Sequence, residues 1–229
     1  ADVGARMLAG PRVLVREAGS QRRAKRGVLF RSMVSPPFPL TAPPEHFDRY
    51  RGQDLPRPKL YEADERPMHP YVAMYRRKSH YDAPFSGADD LNRALSGYFG
   101  LVSFLDEQVG KIMTALDAAG LRDTTRVIYT SDHGDNLGSR GLWGKATMYE
   151  ESAGIPMLLT GADVPEAATC RTPVTLCDVS ATILDAVGVT DASMPGTSLL
   201  RLANAPAEDR AALSEFHTYG PDAFYMLRT

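Results

Sequence analysis

Apolar positions recur at steps of three and four between residues 91 and 116: Leu91, Leu95, Tyr98, Val102, Leu105, Val109, Ile112 and Leu116. That spacing predicts one amphipathic helix of about seven turns. Asp89 or Asp90 stands where a cap would start it, and Gly120 where it would end. After it the period changes. "RVIYT" (126–130) is β-branched and aromatic and predicts a strand, and "IPMLLTG" (155–161) predicts another. "PVTLCDVSATILDAVGV" (173–189) returns to helical spacing, with Leu176, Val179, Ile183 and Val187 on one side. Upstream, "VLFRSMV" (28–34) predicts a short strand, and at the end "AALSEFH" and "AFYMLRT" predict two more. Strand, helix, strand, strand, helix is the order of an α/β domain with helices over a largely parallel sheet.

Residues 36–84 break that rhythm. Five prolines between Pro36 and Pro44 exclude a helix or a central strand there. Tyr61, Tyr71, Tyr75 and Tyr81 instead predict an ordered excursion packed on the surface.

The chain has 229 residues, 43% hydrophobic and 24% charged, enough for one core in an ordinary water-exposed protein. A formal charge of -2 excludes an overall nucleic-acid-binding field. Arg6, Arg12, Arg16, Arg22, Arg23, Lys25, Arg26 and Arg31 face only Asp2 and Glu17, which reads as a solvated basic segment. Two cysteines, Cys170 and Cys177, make no disulfide framework and read as buried free thiols. No apolar run reaches the ~18 residues of a spanning helix, and no signal peptide opens the chain. The expectation is a cytoplasmic protein with no membrane partner. The first residue is Ala, which suggests a fragment or processed product.

The chemistry concentrates in "SDHGDNLGSRGLWGK" (131–145). A strand runs into Asp132 and His133, and ligands gather at strand ends in α/β sheets. An adjacent Asp–His pair offers one oxygen and one nitrogen to a divalent cation. Gly138, Gly141 and Gly144 let the loop fold back, so that Lys145 can hold an anionic oxygen that a metal also polarises. Trp143, the one tryptophan, reads as packing that fixes the loop.

"YTSDHGDNLGSRGLWGKATMYEESAGIPMLL" closely resembles the sulfatases of the alkaline phosphatase superfamily, above all their choline-sulfatase and phosphonate-monoester-hydrolase branch. So do "YFGLVSFLDEQVGKIMTALDAAGL", "SPPFPLTAPPEHF", "PGTSLL" and "SEFHTYG". The resemblance spans roughly residues 28 to 228. It implies a three-layer α/β/α sandwich with a mostly parallel sheet, truncated at both ends. Residues 1–27 would be a loosely matching basic segment. Residues 28–211 would be the central and rear part of the α/β domain, and 212–229 the start of a small C-terminal antiparallel sheet. It implies that Asp132 and His133 ligate a single divalent metal, calcium by family habit, with Mn²⁺ or another divalent ion as alternatives. It implies that Lys145 contacts the sulfate or phosphonate group. His217 in "SEFHTYG" is a second catalytic candidate.

In that family the nucleophile is a formylglycine made within Cys/Ser-x-Pro-x-Arg. Neither Cys170 nor Cys177 fits that pattern. Ser35 has Pro39 where Arg belongs, and Ser193 has Thr197. Ser35, Pro36 and Pro37 stand where the family usually carries a histidine. No Asp before Asp132 has His four residues later, which argues for one metal rather than two. The expectation is therefore a sulfuric ester hydrolase in the complete protein, acting on a small-molecule sulfate ester, with no nucleic-acid partner. The alternatives are a phosphonate or phosphate ester hydrolase, and a non-catalytic truncated domain. Assembly as a homo-oligomer is left open.

Overall fold

The computed structural model describes residues 27–36, 38–79, 85, 87–207, 209–217 and 223–229. Most of the basic segment and Tyr81 lie outside them. The chain forms two compact units that do not follow chain order. Of the described residues, one holds Ser32–Leu121 and His133–Gly154, and the other holds Arg122–Asp132 and Ile155–Thr229 together with residues 27–31.

The first unit is helical. α1 (Pro44–Phe47) and α2 (Pro70–Ser79) lie in the proline-rich excursion, and α3 (Ala88–Ala118) is the long helix. Leu91, Leu95, Leu101 and Leu116 are its buried apolar residues. Val102, on the predicted stripe, is exposed. Gly97 and Gly100, on another side of the helix, are also buried. The first brings the Leu40 carbonyl, and the second the Ala42 Cβ, closer than a Cβ would permit. The helix starts at Gly87 with no side-chain cap. Asp89 and Asp90 instead lie in the first turn, where their charge favours the helix dipole. Leu55, Leu91, Leu95 and Trp143 form one core cluster, and Val72, Tyr75 and Leu142 a second. A short α4 (Glu150–Ala153) closes this unit.

The second unit carries β1 (Arg126–Thr130) and β2 (Met157–Gly161), which pair from Arg126 opposite Gly161 to Thr130 opposite Met157. This pair is antiparallel, where the element order led us to expect parallel strands. The connection explains it. A parallel neighbour needs a crossover, usually a helix, that carries the chain back to its starting edge. Residues 131–156 hold only a 3₁₀ turn and the four-residue α4, and return the chain at the end where β1 stopped. Next come α5 (Leu176–Val187) and α6 (Leu199–Asn204). β3 (Ala212–His217) and β4 (Ala223–Arg228) follow as an antiparallel pair with Phe216 opposite Phe224. Residues 28–34 are not a strand: they make no ladder, and Val28, Leu29, Phe30 and Val34 are exposed. An extended segment becomes a strand only when a neighbour takes its backbone hydrogen bonds.

One polar cluster stabilises the second unit. Asp178 is fully buried. Its carboxylate accepts from the Thr175 amide (2.7 Å), the Thr197 amide (2.8 Å) and the Arg210 guanidinium (2.6 Å). Thr175 completes a capping box on α5. The group therefore joins a helix start, the turn before α6 and the entry to β3. Cys170 and Cys177 are exposed thiols rather than the buried ones expected. Cys170 Sγ donates to the Leu202 carbonyl. No helix among the described residues is long and apolar enough to cross a membrane.

Candidate functional site

The Asp–His pair follows β1 by two and three residues. From His133 to Lys145 the chain makes a folded loop held by internal hydrogen bonds and by others to residues outside it. Gly138, Gly141 and Gly144 have φ of +82°, +69° and +68°, values that L side chains rarely adopt. Buried Asn136 ties the loop together. Its amide and its Nδ2 both donate to the Gly144 carbonyl at 2.7 Å, and its Oδ1 accepts from Thr147 Oγ1 at 3.0 Å. Asp135 Oδ1 accepts from the amides of Leu137 (2.8 Å) and Gly144 (3.2 Å). Burial pushes the Asp135 carboxyl above its ordinary value. The two amides and the charges of His133 and Lys145 oppose that shift without cancelling it.

Packing holds the same loop from outside. Trp143 lies against Leu55, Leu91 and Leu95, with Phe85 edge-on at 4.9 Å. Arg140 sits over the Tyr149 ring at 3.9 Å and pairs with Glu151 at 2.9 Å, both partners largely buried. The Gly134 amide donates to the Ser152 carbonyl, which docks the start of the loop on α4.

This folding brings Lys145 back to His133. The Lys145 ammonium donates to His133 Nε2 at 2.6 Å, and His133 Nδ1 donates to the Gly134 carbonyl at 2.8 Å. A carbonyl oxygen only accepts, so Nδ1 carries the hydrogen and Nε2 presents its lone pair. In this arrangement the Nε2 lone pair is engaged by the Lys145 ammonium. Asp132 is exposed and accepts a long contact from Ser131 Oγ, 3.5 Å. The donor types fit a divalent cation. Among the described residues no group of three or more His, Cys, Asp or Glu side chains is placed to hold one.

A profile of the sulfatase family matches residues 20–189.

The chain belongs to the sulfatase family.

It is 32% identical over 132 residues to choline-sulfatase of Rhizobium meliloti (strain 1021), across 56% of this chain and 26% of that protein. It is 36% identical over 143 residues to arylsulfatase K of Rattus norvegicus, across 58% of this chain and 25% of that protein. The solved phosphonate monoester hydrolase of Silicibacter pomeroyi is similar in structure, with a TM-score of 0.73 at 26% identity. The likeness covers 89% of this chain and 43% of that one. This sulfatase-family chain shares an α/β fold with that hydrolase, and spans about a quarter of the curated relatives it matches.

Of the residues singled out in the sequence, His133 and Lys145 are brought into contact. Asp132 precedes them in the chain. His217 lies in the second unit at the end of β3, exposed, with the Tyr225 ring edge-on at 6.1 Å. Sequence reasoning missed Asp135, Asn136, Tyr71 and Tyr75. The Tyr75 hydroxyl donates to the Lys145 carbonyl at 2.8 Å, and that of Tyr71 to the Ala146 carbonyl at 3.3 Å. Their spacing of four in "YVAMY" was the available signal: it puts both rings on one face of a turn of helix.

Proposed function

We propose that this chain is the central and rear part of a metal-assisted sulfuric ester hydrolase acting on a small-molecule sulfate monoester. Within the complete protein it would belong to a three-layer α/β/α sandwich of alkaline-phosphatase type, with residues 28–211 in the α/β domain and 212–229 opening a small antiparallel sheet. The observation that carries the reading is the Lys145 ammonium at His133 Nε2, on a loop that family membership aligns with sulfatases.

Asp132 and His133 would hold one divalent ion, with Ca²⁺ first by family and Mn²⁺ second; the Lys145 ammonium, which takes the Nε2 lone pair here, would yield it to the ion and turn to the ester. When bound, that ion polarises an ester oxygen as a Lewis acid. Lys145 binds an anionic oxygen of the same group and offsets charge as the leaving oxygen departs. The Gly134 carbonyl keeps the His133 tautomer that presents Nε2. His217 is the second candidate for contact with the ester. Phosphonate ester hydrolysis is the alternative reading, favoured by the likeness to the Silicibacter pomeroyi enzyme.

The test is steady-state kinetics of the complete protein on 4-nitrophenyl sulfate and 4-nitrophenyl phenylphosphonate. Sulfate turnover is expected to dominate. Lys145→Ala is expected to lower it on the order of 10²-fold, the loss of one charged stabiliser. Unchanged kinetics in Lys145→Ala would remove Lys145 from the site, and a dominant phosphonate rate would install the alternative.

A further inference from the structure

The geometry points to Tyr75 as a positioning residue for Lys145, assisted by Tyr71. This rests on the reading of Lys145 as the group that contacts the ester.

A lysine has four rotatable side-chain bonds, so its ammonium is placed reproducibly only if its Cα is fixed first. Two peptide planes flank that Cα. The preceding one is held from inside the loop, where its Gly144 carbonyl accepts twice from buried Asn136. The following one is held from outside, where its Lys145 carbonyl accepts from Tyr75. Tyr75 comes from α2 in the proline-rich excursion. It is buried, in one cluster with Val72 and with Leu142, which has no exposed surface. Its hydroxyl is therefore delivered by a rigid ring on a packed helix.

The next residue shows why such a clamp is needed. Ala146 has φ +73°, a left-handed conformation that residues other than Gly, Asn and Asp seldom take. Backbone in that region persists where its surroundings over-determine it. The Lys145 carbonyl before Ala146 and the Ala146 carbonyl itself each accept a tyrosine hydroxyl. The two rings lie nearly parallel, with centroids 6.1 Å apart. Without those hydrogen bonds Ala146 relaxes to negative φ, the Lys145–Ala146 peptide turns, and the ammonium leaves His133.

The test is the ¹H–¹⁵N spectrum of lysine ammonium groups in residues 1–229, with the Lys145 signal assigned by its absence from Lys145→Met. Hydrogen bonding to His133 slows exchange and keeps that signal visible. Tyr75→Phe removes one oxygen. It is expected to broaden the Lys145 signal beyond detection while Trp143 keeps the fluorescence of a buried indole. Tyr71→Phe removes the longer bond and is expected to weaken the signal less. A Tyr75→Phe chain with wild-type Lys145 and His133 ring signals overturns the proposal. Should Tyr75→Phe fail to fold, Tyr71→Phe decides: a weakened signal supports the clamp, and an unchanged one overturns it. Titration with inorganic sulfate separates the two readings. A wild-type Lys145 signal that ignores sulfate counts against the ester contact and leaves the effect of Tyr75→Phe to be judged by itself.

Discussion

Asp135 shows how much a single carboxylate decides within this loop. One oxygen bridges the amides of Leu137 and Gly144, seven residues apart along the chain, while burial disfavours its charge. What the loop needs is therefore the acceptor rather than the charge. Asp135→Asn keeps an oxygen acceptor and is expected to cost less than ~1 kcal/mol, whereas Asp135→Ala leaves the amides unpaired and costs ~1–3 kcal/mol. Urea denaturation of the two variants measures the difference. Equal losses would show that the charge, and not the bridging oxygen, matters. "DHGD" reads naturally as two ligands and a turn, and nothing in the four letters separates a carboxylate facing outward from one folded under the loop.

Among the elements, α5 depends most on a buried group. The Asp178 carboxyl is pushed up by desolvation, but the Arg210 guanidinium and the amides of Thr197 and Thr175 together outweigh that and hold it below its ordinary value. A carboxyl with a depressed folded value stabilises the fold above the unfolded value, ~3.9, and that contribution is lost as pH falls below it through the folded value. Asp178→Asn is thus expected to cost about 3 kcal/mol or more near pH 7, because it leaves Arg210 unpaired. The gap to wild type should shrink as pH falls towards 3. Thermal unfolding of both chains across that range checks it, and a gap independent of pH would exclude the charge pair as the cause. The helix itself was legible from its Val179–Ile183–Val187 spacing. Its buried face was not, because Asp178 and Thr182, the residues that point inward, are polar.

At the scale of the molecule, the proposed donors Asp132 and His133 have no third His, Cys, Asp or Glu placed with them among the described residues. Residues 1–229 alone are therefore expected to bind divalent cations weakly, with Mn²⁺ no weaker than Ca²⁺, since an imidazole donor suits Mn²⁺ better than it suits Ca²⁺. Calorimetric titration decides this, and a tight stoichiometric Ca²⁺ site would refute it. The same chain is expected to show no hydrolysis of 4-nitrophenyl sulfate, because no Cys or Ser in it stands in the Cys/Ser-x-Pro-x-Arg pattern that makes the family's nucleophile. Multiple turnovers abolished by Asp132→Ala would show a metal-activated water acting in its place.

Local pattern by itself determined the long helix, a strand at 126–130 and one within 155–161, a helix within 173–189 and the final strand pair. In each, the apolar period belongs to the element and needs no distant partner. It also determined the family, since the block from Asp132 to Lys145 that carries the resemblance lies within one stretch of chain. Tertiary structure decided what depends on residues far apart. It paired β1 and β2 antiparallel, because pairing direction follows the path of the connection and not the composition of the strands. It left residues 28–34 without a ladder, because a strand exists only beside another strand. It also set Tyr75 against the carbonyl of Lys145, 70 positions away, because such a contact follows from how α2 packs on Leu142, and no spacing within either segment encodes that meeting.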